Sequence, residues 1–137
     1  AKTHFVVQLK KAPYFTLSFS KDLDLSLYRE IESWMEAYSL KKDAPMHFLP
    51  RQEVPKFSFS AINALKKVLW GKKVSYEELA VRAGSPKATR AIGTICRKNP
   101  YPLFIPCHRV VSKGKGLGGF AFGLEVKKEL LRFEGLL

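Results

Sequence analysis

Val74-Ser75-Tyr76-Glu77-Glu78-Leu79-Ala80-Val81-Arg82-Ala83-Gly84-Ser85-Pro86 carries the start and stop of one short helix and the expected start of another. Ser75 and Glu78 have the spacing of a capping box, and Val74 and Leu79 sit where a hydrophobic staple closes a first turn. Gly84 offers a left-handed cap. Ser85 then supplies an N-cap with proline at the first helical position, so a second helix is expected at once. It should run to about Lys98, before Asn99-Pro100. Two short helices about a tight glycine turn make a helix-turn-helix layout.

The second helix carries Lys87, Arg90, Arg97 and Lys98, with the small residues Ala88, Thr89, Ala91 and Gly93 between them. Small residues permit close approach to a groove, and basic ones reach phosphates. Many helix pairs of this kind bind nothing. The charge distribution favours a polyanion: of a net +12, residues 1–50 hold 7 basic and 6 acidic side chains, while residues 51–137 hold 17 and 6. Confining the excess to one part of the chain suits DNA better than a merely solvated surface.

Upstream, a helix is expected from about Ser58 to Leu69, with Phe59, Ile62, Leu65 and Leu69 as its apolar face and Gly71 as its end. Lys41–Pro55, with Pro45, Pro50 and Pro55, suggests a linker. Before it, Thr3–Leu9 and Tyr14–Phe19 are β-prone runs around Lys10-Lys11-Ala12-Pro13. Leu27, Ile31, Trp34, Met35 and Tyr38 then recur at helical spacing, a stripe taken as core, with Asp22 or Asp24 as cap. The division is thus an α+β unit with linker over 1–54 and a second domain over 55–137.

The chain has 137 residues, of which 46% are hydrophobic, enough for a compact core. No run of about 18 apolar residues exists, so no membrane helix is expected. Ala1-Lys2-Thr3-His4 lacks the apolar core of a signal peptide. Two cysteines do not make a disulfide framework, which favours a reducing, intracellular location, and no zinc-site spacing is present. Two Asn and two Gln are a faint sign of heat adaptation.

Ile105-Pro106-Cys107-His108-Arg109-Val110-Val111 is the candidate reactive segment. Arg109 and His108 beside the thiol are expected to favour the thiolate. An inert buried cysteine beside an incidental histidine is the alternative. Ser112–Phe120 is a glycine-rich loop that lacks the spacing of a phosphate or dinucleotide loop. A last helix is expected from about Leu124 to Phe133, ended by Glu134-Gly135. The other cysteine, Cys96, is taken as a buried core residue.

Together these segments resemble the O6-alkylguanine-DNA alkyltransferases, also called methylated-DNA–protein-cysteine methyltransferases. The resemblance rests on Val74–Tyr76, Ser85–Gly93, Asn99-Pro100, Ile105–Val111, Gly123-Leu124 with Val126-Lys127, and Phe133–Gly135, in the family's order across residues 57–137. It implies an α+β fold: a small ribonuclease-H-like N-terminal subdomain, and a mainly helical, winged-helix-like C-terminal subdomain with the helix-turn-helix.

The implied activity is direct-reversal DNA repair. An alkyl group passes irreversibly from O6-alkylguanine, and from O4-methylthymine, in duplex DNA to Cys107. Each molecule acts once, after flipping the target nucleotide out of the stack. In the roles implied, His108 is the base, acting through a water, and Glu134 orients it. Without the family, Glu134 would read as a solvated terminal charge. Tyr76 would donate to guanine N3, and Asn99 would lock the turn beneath Cys107. Arg90 would fill the space left in the stack. Lys87, Ala88, Thr89, Gly93, Arg97 and Tyr76 would face the minor groove of the DNA.

Carbonyls of Cys107 and Val110, and backbone amides near Phe120 and Ala121, would read the guanine edge, with Pro102 and Arg109 completing the pocket. No cofactor, metal or membrane is implied. The expected form is a monomer, in the cytoplasm or, in a eukaryote, the nucleus. Phe120 replaces a frequent tyrosine, and Phe122 stands where glycine is expected, which narrows the pocket. The rivals are a lesion-binding relative without a reactive cysteine, a helix-turn-helix regulator, and a thiol hydrolase using His4 or His47.

Overall fold

A computed structural model describes residues 7–11, 15–19, 22–44, 53–114 and 116–137. Strands β1 (Val7–Lys11) and β2 (Phe15–Phe19) pair antiparallel, with Leu9 opposite Leu17. The earlier part of the first expected strand and residues 12–14 lie outside the described residues, as do Pro45, Pro50 and the candidates His4 and His47.

Helix α1 (Leu25–Ser39) starts at Asp24, whose carboxylate accepts from the Leu27 amide at 2.8 Å. That bond satisfies one of the free amides of the first turn. Its inward stripe is the one the spacing predicts: Leu27, Ile31, Trp34 and Tyr38 are buried, and Met35 packs against them.

Helix α2 (Lys56–Lys66) departs from expectation. Its buried residues are Ala61, Ala64 and Leu65, whereas Phe59 and Leu69 are about half exposed. Helix α2 packs against the next two helices, and Ala61 and Ala64 belong to the buried core. Leu65 and Ile62 of the expected face do meet the core, while Phe59 lies at its edge and Leu69 follows the helix end.

Strand β3 (Val74–Ser75), which periodicity did not announce, leads straight into α3 (Tyr76–Arg82). Ser75 Oγ accepts from the Glu78 amide at 3.0 Å. Glu78 itself turns to Arg82, so only that half of the capping box is seen. Gly84 takes φ +89° after the last turn, which only glycine adopts at no cost. The next helix does not begin at Ser85. Residues 85–88 form a turn closed by Ala88 N–H donating to the Ser85 carbonyl, and α4 spans Thr89–Arg97 with no side-chain cap. Pro86 suits this turn as well as a first helical position, so the local sequence did not decide between them.

A 3-10 turn at Cys107–Arg109 leads into β4 (Val110–Val111), which runs parallel to β3 with Val74 opposite Val110 and Ser75 opposite Val111. The connection between the two strands therefore contains α3, α4 and the reactive segment up to Arg109; the last two residues of that segment form β4. Helix α5 (Leu124–Phe133) closes the described chain where the sequence placed it. One continuous core links α1 (Leu27, Trp34) through α2 (Leu65) and α4 (Ile92) to Phe104 and Leu130. Among the described residues, five α-helices with two small sheets make a mixed α and β architecture. Among the described residues no helix is long and apolar enough to cross a membrane.

Candidate active site

Residues 101–110 are all buried, so the segment between α4 and β4 is core and not a surface loop. Leu103 takes φ +74°, an uncommon conformation for a branched residue. Asn99 braces this bend from both sides. Its Oδ1 accepts from the Tyr101 amide at 3.0 Å, and its Nδ2 donates to the Ile105 carbonyl at 2.9 Å and to Cys107 Sγ at 3.1 Å.

The electrostatics around the thiol differ from expectation. Burial raises the Cys107 pKa, partly offset by the Asn99 hydrogen bond and the positive charge of Lys127. The resting group is therefore a thiol. Arg109 does not supply the compensating charge: its Nε donates to Glu134 Oε1 at 2.7 Å and a terminal nitrogen donates to the Val68 carbonyl at 2.6 Å. Turned that way, its charge serves the carboxylate.

Glu134 is buried, with 3% of its surface exposed, and is no solvated terminal charge. Its Oε2 pairs with His108 Nε2 at 2.5 Å. Burial alone would raise its pKa; the His108 and Arg109 contacts outweigh that and hold it at about 2. Burial lowers the pKa of His108 despite the carboxylate beside it. A neutral histidine beside an ionised carboxylate carries its proton on Nε2. The lone pair is then on Nδ1, which is buried and has no hydrogen-bond partner among the described residues. Among the described residues Nδ1 is unpaired, so His108 can accept a proton there.

Cys107 lies on the wall of a cavity of about 490 Å³ lined also by Tyr76, Cys96, Arg97, Gly118 and Phe120. That is a typical volume for a small-ligand site, where roughly 300–1,000 Å³ is usual. Tyr76 enters from the first turn of α3, its pKa pushed by burial up to about 12, so it is a neutral donor. Gly118 sits against it: a Cβ there would lie 2.9 Å from the Tyr76 hydroxyl. Gly93 and Ala121 also line the cavity. Pro102, Arg109 and Val110 are buried but do not. Phe122 packs on Phe120, ring centroids 5.7 Å apart, and is likewise not on the wall.

Cys96 packs against the core as expected, but it is only partly buried and also lines the cavity. Burial pushes its pKa up to about 12. On the outer face, Lys87 and Arg90 are exposed, Ala88 and Thr89 half-buried, and Arg97 donates to Thr94 Oγ1 at 3.0 Å.

One residue at the centre was given no role by sequence reasoning. Lys127 is fully buried, and its Nζ donates to the Val110 carbonyl at 2.6 Å and the Gly119 carbonyl at 3.0 Å. The ammonium ties strand β4 to the glycine loop, beside the Tyr76 ring at 5.8 Å. Burial lowers its pKa to about 8, so it stays largely charged at neutral pH. A signal was present: Lys127, Leu130, Leu131 and Glu134 fall at i, i+3, i+4 and i+7, the core-facing positions of a helix. A charge at such a position requires a buried partner. Among the described residues no three His, Cys, Asp or Glu side chains gather as a metal site.

Residues 56–136 match the family model described as 6-O-methylguanine DNA methyltransferase, DNA binding domain. A methylated-DNA–protein-cysteine methyltransferase of Methanosarcina acetivorans is 37% identical over 108 residues, covering 79% of this chain and 69% of that protein. The Homo sapiens protein of the same name is 40% identical over 110 residues, covering 75% of this chain and 53% of its own length. The chain thus spans only about half the human relative. Among solved structures, Mycobacterium tuberculosis OGT in complex with DNA shares the fold with a TM-score of 0.73 at 22% identity, covering 97% of this chain and 93% of that one.

Proposed function

The chain belongs to the 6-O-methylguanine DNA methyltransferase family, and on that premise we propose that it repairs DNA by taking the alkyl group of O6-alkylguanine onto Cys107. The observation that carries this reading is the placement of Cys107. Cys107 lines a cavity of small-ligand size, its sulfur is held by Asn99, and it stands next in sequence to a neutral histidine backed by a buried carboxylate.

The chemistry follows from those groups. The thiol proton passes through a bridging water to His108 Nδ1, and the Glu134 carboxylate stabilises the imidazolium that forms. The thiolate attacks the alkyl carbon, an S–C bond forms and the C–O6 bond breaks. The electron pair goes to guanine, whose N3 takes a proton from the Tyr76 hydroxyl. Because the resting sulfur is a thiol, it reacts only once proton transfer is coupled to a bound substrate. The product thioether has no leaving path, so each molecule acts once.

The partner is double-stranded DNA entered through the minor groove. Exposed Lys87, with Arg97 from the cavity lining, contacts the backbone, and exposed Arg90 occupies the stack in place of the flipped nucleotide. O4-methylthymine is a second substrate on this reading, and the protein works as a monomer in whichever compartment holds the DNA, cytoplasm or nucleus.

The test is the intact mass of the protein after incubation with a duplex carrying O6-methylguanine. A gain of one methyl, mapped to Cys107 and absent with unmodified DNA, is the expected result. Tight lesion-selective binding with no mass change would mark a lesion binder, and binding to one particular sequence would mark a regulator.

A further inference from the structure

Tyr38 lies in the last turn of α1, within the N-terminal stripe that sequence reasoning took as plain core. Its ring stacks on Trp34, centroids 5.4 Å apart, and on Phe133, also 5.4 Å apart. Its hydroxyl, however, crosses into the second part of the chain and donates to Glu134 Oε2 at 2.7 Å. This is the same oxygen that pairs with His108 Nε2.

The carboxylate is thereby enclosed on every side. Oε2 takes Tyr38 and His108, while Oε1 takes Arg109 Nε and, at 3.2 Å, the Gly71 amide. Among the described residues, Tyr38 from α1 and His108 and Arg109 from the 3-10 turn are the titratable and charged groups bonded to Glu134. Lys41 lies against the neighbouring Phe133 ring, 5.4 Å from its centroid. Burial, with the Glu134 charge, drives the phenol far above its ordinary pKa, so it stays a donor at any working pH.

We propose that Tyr38 is a positioning residue of the alkyl transfer, which sets how strongly Glu134 supports His108 and makes the reactive centre depend on the seating of the N-terminal helix. The proposal rests on the function argued above. Two donors on one carboxylate oxygen compete for its charge. A phenol on Oε2 therefore tempers the pull of Glu134 on the imidazolium. It also fixes the carboxylate rotamer, and hence the His108 tautomer that leaves Nδ1 free. Removing the hydroxyl leaves Oε2 to His108 alone, so the imidazolium is better stabilised and His108 becomes more basic.

Tyr38→Phe removes only the hydroxyl and keeps both ring stacks. Single-turnover methyl transfer should be measured against pH for the wild type and this variant, with the His108 imidazole titrated by NMR in both. Trp34→Phe serves as a packing control, since it disturbs the same ring cluster and leaves the hydroxyl. The expected result for Tyr38→Phe is an acid limb displaced to higher pH by about half a unit or more, with the NMR titration moving alike. Trp34→Phe should melt earlier with its limb unmoved.

Superimposable profiles and His108 titrations for wild type and Tyr38→Phe would overturn the proposal. So would an equal displacement in Trp34→Phe, which would reduce Tyr38 to packing. A wild type that transfers no methyl at any pH would instead overturn the functional reading on which the proposal stands.

Discussion

Asn99 Nδ2 donates at once to the Cys107 sulfur, at 3.1 Å, and to the Ile105 carbonyl, at 2.9 Å. One amide group thus fixes the backbone before the nucleophile and stabilises the charge that develops on it. Hydrogen bonds to charged groups contribute about 1.5–3 kcal/mol. Asn99→Ala should therefore slow single-turnover methyl transfer by roughly ten- to a hundredfold, since about 1.4 kcal/mol is a factor of ten. Rapid-quench assay of the lesion duplex would check this, and a loss under about threefold would remove Asn99 from the reaction.

Gly118→Ala should displace the Tyr76 phenol. The added Cβ would sit 2.9 Å from both Tyr76 Cε2 and its hydroxyl, and 3.2 Å from Ser112 Oγ, on a backbone at φ +72°. The backbone strain alone costs about 1–2 kcal/mol. We expect a lower melting temperature and transfer reduced about tenfold or more, with duplex affinity little changed, because the residues proposed to meet phosphate, Lys87 and Arg97, lie on α4 or in the turn before it. Unaltered transfer would separate Tyr76 from proton donation.

The buried relay makes the fold acid-sensitive. His108 has a folded pKa below its ordinary 6.5, because of burial, so the unfolded chain binds the proton more readily. Stability is then lost as pH falls below about 6.5. Glu134 is held near 2 against an ordinary 4.5 by His108 and Arg109, so its contribution is present above 4.5 and lost as pH falls towards 2. Both act in the same direction. The Glu134 part amounts to roughly 3 kcal/mol at the linkage rate of about 1.4 kcal/mol per unit. Urea melts of wild type and Glu134→Gln between pH 7 and 3 would show it: the variant should be weaker at pH 7 and the two should converge in acid. Parallel curves would contradict the assignment.

Arg90→Ala should impair lesion repair more than plain DNA binding. Arg90 is exposed at the start of α4, free to enter a stack. Fluorescence of a reporter base opposite the lesion would follow extrusion. Equal losses on intact and abasic duplexes would leave Arg90 only a phosphate contact.

Local chemistry was legible where it decides structure by itself. Asp24, Ser75 and Gly84 act through bonds or dihedrals a few residues away, and each does what its type predicts. Ser85-Pro86 failed because a turn and a helix start use the same residues. Of the expected α2 face, Leu65 is buried and Ile62 packs on the core, but Phe59 is about half exposed, and Leu69 falls beyond the helix, which ends at Lys66. Within the site, Cys107 and His108 stand out as neighbours in an unusual peptide. Arg109 was assigned to the wrong charge, since direction is set by Glu134, 25 residues away. The Tyr38 hydroxyl was invisible for the same reason, its partner being 96 residues distant. Lys127 was hidden in plain view, at an apolar position of α5.

The most direct test of the account is stoichiometric. A fixed amount of protein is titrated with a duplex bearing radiolabelled O6-methylguanine, and protein-bound methyl is counted for wild type, Cys107→Ser and Cys96→Ser. The account predicts saturation at one methyl per protein in wild type and Cys96→Ser, and none in Cys107→Ser. Turnover beyond one equivalent, or a full equivalent retained by Cys107→Ser, would contradict it, the latter by assigning the methyl to the other cysteine on the cavity wall.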